Sequence, residues 1–71
     1  MNAEPTPAGP ADPDLCRNYQ GNYQVMKEGM RDGDIPREGH KRAKEIMRLA
    51  LQMWNAECRA TYGDINTAVI R

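Results

Sequence analysis

The sequence contains no phenylalanine, one tryptophan and one histidine, and only nine of its 71 residues are Leu, Ile or Val. A chain this short buries only about 60% of its unfolded surface, so one small domain is the most it can form. A thin core also argues against a self-sufficient enzyme, because reacting groups need a rigid setting and a supporting layer behind them. No Gly-rich phosphate loop occurs, and no nucleophile stands at a motif spacing from a base. His40 reads as a solvated surface residue. No enzymatic activity and no cofactor are expected.

No run approaches the roughly 18 to 20 apolar residues that span a bilayer, so no transmembrane segment is expected. The opening Met-Asn-Ala-Glu-Pro-Thr-Pro lacks the basic and apolar stretches of a secretory leader. The expected compartment is the cytoplasm. Cys16 and Cys58, 42 residues apart, fit neither a CxxC pair nor a zinc knuckle. In a reducing compartment they read as free thiols, a bridge tying two helices together being the minority reading. With no further ligands in reach, no metal site is expected.

Net charge is absent too, with ten Lys and Arg against ten Asp and Glu. That balance is made of unlike parts. Residues 1–14 hold Glu4, Asp12, Asp14 and four of the five prolines with no basic residue; this composition predicts a disordered acidic tail. Residues 15–71 form the single helical domain. Asp14 is placed to cap a first helix over about 15–30, in which Leu15, Tyr19, Tyr23, Met26 and Met30 share one stripe. Arg31 to Ile35 read as a turn, after which Asp34 and Pro36 suit the start of a second helix.

That second helix, about 36–62, carries the strongest pattern. Ala43, Ile46, Met47, Ala50, Met53, Trp54 and Cys58 cluster on one side, with Leu49, Leu51 and Ala60 widening the apolar sector. Its charged residues sum to +3. Gly63 ends it, and Asp64 is placed to cap a short C-terminal helix in which Ile65, Ala68 and Val69 share a face. Thr61 to Val69 resembles, over nine residues, the junction of the second and third helices of ubiquitin-associated domains. The Met-Gly-Phe/Tyr loop of that family is missing upstream, so its fold and function are not carried over. The expected fold is all-α: a small helical hairpin, a short C-terminal helix and a disordered N-terminal tail.

A broad apolar sector on so small a chain invites cover from outside. Methionine is adaptable at binding surfaces, and aromatic anchors dominate interface energetics. The expected function is a small protein-interaction module, an accessory or inhibitory protein of the kind phages and mobile elements encode. It would bind a larger protein through Leu49, Leu51, Met53 and Trp54, with Lys44 and Arg48 at a polar rim. A homodimer would bury the same sector. The alternative is a helical nucleic-acid-binding regulator using Lys41, Lys44, Arg48 and Arg59 on phosphates, although the chain lacks the excess positive charge such modules carry.

Overall fold

The computed structural model describes residues 11–71. Residues 1–10 of the expected tail lie outside the described residues. The fold is the expected all-α hairpin: α1 (Pro13–Asp32) packs antiparallel on α2 (His40–Glu57), and α3 (Arg59–Tyr62) follows as a single turn of helix. Among the described residues no helix is long and apolar enough to cross a membrane.

The first helix starts earlier than the sequence pattern suggests. Asp12, not Asp14, is its cap: the Asp12 carboxylate accepts the Asp14 amide at 2.9 Å, and Pro13 takes the first helical position, where no amide hydrogen is needed. The inward stripe is also rotated. Cys16 is buried, whereas Leu15 is 44% exposed at its edge. The reason is covalent, since Cys16 and Cys58 form a disulfide. Their reading as free thiols is corrected by this bond, which draws the start of α1 onto the end of α2.

Past Gly33 the chain turns back over its own helix. The Ile35 amide donates to the Gly29 carbonyl at 3.0 Å, and the Ile35 side chain lies on Gly29 so closely that a Cβ there would fall 2.8 Å from two of its carbons. Only glycine fits this approach. Asp34 makes no cap: Pro36 precedes a short 3-10 turn (Arg37–Gly39), and α2 starts without a side-chain cap. His40 is half-buried rather than solvated, its Nε2 lying 3.0 Å from the Ile35 carbonyl.

The single second helix expected over 36–62 is divided. At Cys58 the backbone leaves helical geometry (φ −120°, ψ −25°), although its amide still reaches the Trp54 carbonyl at 2.7 Å. The break falls at the residue bonded to α1.

The chain then doubles back as a C-terminal strap, residues 63–71, where the sequence suggested a helix from Ile65 onward. Asp64 does organise it: its carboxylate accepts the Asn66 amide at 2.7 Å, and its carbonyl accepts Thr67 and Ala68. The turn stops there because the Gln20 side-chain amide takes the Ile65 and Ala68 carbonyls, at 3.0 and 2.8 Å. Ile65 is buried and Ala68 half-buried as expected, but Val69 points out. The likeness to the ubiquitin-associated junction ends at this turn.

The core is correspondingly small. Cys16, Trp54, Cys58 and Ile65 are sealed, with Tyr19, Tyr23, Leu51, Tyr62, Ala68 and Ile70 packed around them. Trp54 keeps its one polar group inside, its Nε1 donating to the Gly63 carbonyl at 2.8 Å. Gly63 has φ +85°, ψ −150°, a conformation open to glycine alone, and this turns the carbonyl toward the indole.

Candidate interaction face

A helical hairpin has two broad faces, and here the chain covers one. The strap lies on the side bearing Gln20 and Lys27 of α1, where Lys27 Nζ also donates to Asn66 Oδ1 at 3.1 Å. The opposite side carries an apolar groove of about 220 Å3 between the helices, lined by Tyr19 and Asn22 of α1 and by Ile46, Leu49, Ala50 and Met53 of α2. The four α2 residues stand at i, i+3, i+4 and i+7, a single stripe two turns long. Ala50 is buried as the floor, while Leu49 and Met53 remain 48% and 41% exposed. Among the described residues no charged side chain lines this groove.

Tyr19 closes one end. Its hydroxyl donates to Glu57 Oε1 at 3.1 Å. Partial burial, followed by this bond and the negative charge of Glu57, raises the phenol above its ordinary value. A raised folded-state value means that the contribution is complete below the unfolded value of about 10 and is lost as pH rises through the folded one. Tyrosinate absorbance is therefore expected to show Tyr19 ionising later than an unperturbed phenol. Glu57→Gln, which removes the charge while burial stays, is expected to lower it part of the way, and an unchanged titration in that variant would refute the charge coupling.

The residues that the sequence singled out for partner binding are divided by this geometry. Trp54 is fully buried and hydrogen-bonded, so it is core and not an anchor. Leu49 and Met53 share the open groove. At about 100° per residue, Leu51 projects roughly 160° away from Leu49 around α2, onto the strap side, where it packs against the core. Lys44 and Arg48 are exposed on that other flank, too far around the helix to rim the groove. Tyr19, Asn22 and Ile46 replace them in the site. Of these, Ile46 was legible in the spacing with Leu49 and Met53, whereas Tyr19 and Asn22 join only because α1 lies alongside.

The basic set is divided as well. Lys41, Lys44 and Arg48 are exposed along one side of α2. Arg59 instead lines a separate hollow beside the strap with Tyr23, Leu51, Asn55, Asp64 and Asn66. There the Asp64 carboxyl is held below its ordinary value, chiefly by the Asn66 backbone and side-chain hydrogen bonds, with Arg59 and Lys27 adding to it. Arg59 thus has an acid for a neighbour.

Compared with known protein families, curated proteins and solved structures, the chain finds no match.

Proposed function

We propose that this protein is a small non-enzymatic interaction module that acts by occupying a surface of a larger protein, as an accessory or inhibitory chain. The observation that carries this reading is the open groove. On a domain whose core is so small, Leu49 and Met53 stay about half-exposed beside Ile46 and Tyr19, while the strap covers the other face. Flexible methionine and leucine side chains over a small-residue floor suit a partner helix laid into the groove. The Cys16–Cys58 bond supports a site of action in an oxidising compartment, in place of the reducing cytoplasm that free thiols would favour.

The test is affinity capture from host extract with the wild-type chain and with Leu49→Asp, a substitution at a half-exposed position that leaves the core intact. A partner held by the wild type and lost by the variant, with helicity unchanged, is the expected result. Equal capture by both would overturn the reading. The nucleic-acid alternative has only Lys41, Lys44 and Arg48 on a common side. It requires retention on DNA or RNA at low salt that falls steeply as salt rises; a protein-binding module is expected to show no retention.

A further inference from the structure

The open face has a pattern along α2 that bears on what covers it when no larger partner is present. The stripe is symmetric about the point between Leu49 and Ala50. Ile46 and Met53 lie three residues outside that pair, and Arg42 and Glu57 lie seven residues outside it. By the helical period, Arg42 and Glu57 fall on the groove side of α2, one near each end of the apolar stripe. Arg42 meets Glu45 at 3.4 Å in an exposed pair, and Glu57, half-buried, accepts the Tyr19 hydroxyl through Oε1 and no other side-chain donor among the described residues.

We propose that the free protein forms a two-fold dimer through this face, α2 running antiparallel to α2 of a second copy in a four-helix bundle. The inference rests on the reading that the open face is an interface, and it names a second copy of this chain as its resting occupant. A two-fold axis crossing α2 between Leu49 and Ala50 places Ile46 of one copy beside Met53 of the other. The same axis sets Arg42 against Glu57 of the second copy, twice per dimer. An isologous contact brings a patch onto itself, so a charged patch repels its own image; the groove carries no charge, and its ends carry opposite ones. Self-pairing sets opposite and not like charges at both ends of the contact.

The dimensions agree. The thinnest extent of the molecule is 16 Å, that of a plate and not a ball. The open face is roughly 27 Å long by 20 Å wide, taking about 1.5 Å of rise per residue and two helices side by side. Covered end to end, two such faces remove at most about 1,000 Å2 from water, the lower limit for a specific interface. Interfaces at this low end of size are typical of weak, transient complexes, which suits a resting cover that yields to a larger partner.

Sedimentation equilibrium of the full, oxidised chain from roughly 5 to 500 µM covers the range in which a weak dimer dissociates. The expected result is a mass rising from the 8.0 kDa monomer to twice that value. Leu49→Asp is expected to stay monomeric throughout. Arg42→Glu, which sets like charges against each other at both ends, is expected to weaken the dimer about tenfold, and Arg42→Glu with Glu57→Arg to restore it. Far-ultraviolet circular dichroism of each variant checks that the helices persist. A monomer at every concentration overturns the dimer, as does a dimer indifferent to Leu49→Asp. A dimer that Leu49→Asp dissolves but that ignores the charge swap overturns the antiparallel register and with it the proposal. If the monomeric chain still captures a larger protein through Leu49, the interaction reading survives while this inference fails.

Discussion

Removing the Cys16–Cys58 bond is expected to take away roughly 40% or more of the protein's stability. The bond closes a loop of 42 residues, and a crosslink of that span removes denatured-state freedom equivalent to about 4 kcal/mol. Total stability for a chain of this size is roughly 4 to 10 kcal/mol at ordinary values per residue. The half-cystines also supply two of the four sealed residues at the centre of the core, so their loss removes packing along with the crosslink. Thermal melting followed by circular dichroism, with and without reductant, measures the effect, and Cys16→Ala with Cys58→Ala repeats it without chemistry. A melting point that moves by only a few degrees would show that the helices hold each other without the bond.

Trp54→Ala is expected to cost about 3 to 5 kcal/mol, the usual range for emptying a buried aromatic site. Trp54 joins several parts of the fold. Its ring sits against the disulfide and Ile65, its centroid lies 6.2 Å from that of Tyr62, and its Nε1 holds the Gly63 carbonyl. Helicity and any partner capture should therefore disappear together. Trp54→Phe retains an aromatic ring but no donor for Gly63, and should lose about 1 kcal/mol for the hydrogen bond beyond the lost volume. Urea midpoints of the two variants separate these contributions. A Trp54→Ala chain as stable as the wild type would contradict its place in the core.

The hairpin was legible because its signals are local. Apolar residues at helical spacing and turn residues around Gly33 act over a few positions, and both long helices lie close to where that pattern puts them. Distances across the fold are a different matter. A separation of 42 residues says nothing about whether two thiols meet, so the pairing of Cys16 with Cys58 stayed a minority reading. The rotation of the α1 stripe away from Leu15 and the break in helical geometry at Cys58 stayed hidden. Trp54 illustrates the same limit within the candidate site. Its position on the apolar sector is plain from the sequence, but which part of that sector is covered depends on the strap. The strap is held by Gln20, a polar residue that helical periodicity ignores.

The same arrangement gives the chain a built-in optical gauge. Trp54 is the sole tryptophan, and it looks toward the strap, through Gly63, while the groove opens on the far side of the hairpin. Its emission thus tracks whether the strap is seated. A ligand settling over Leu49 is expected to leave the indole's surroundings unaltered, whereas a peeling strap is expected to admit water to the ring and shift its spectrum to the red. One wavelength scan therefore distinguishes an occupied protein from an unfolding one, with no label attached.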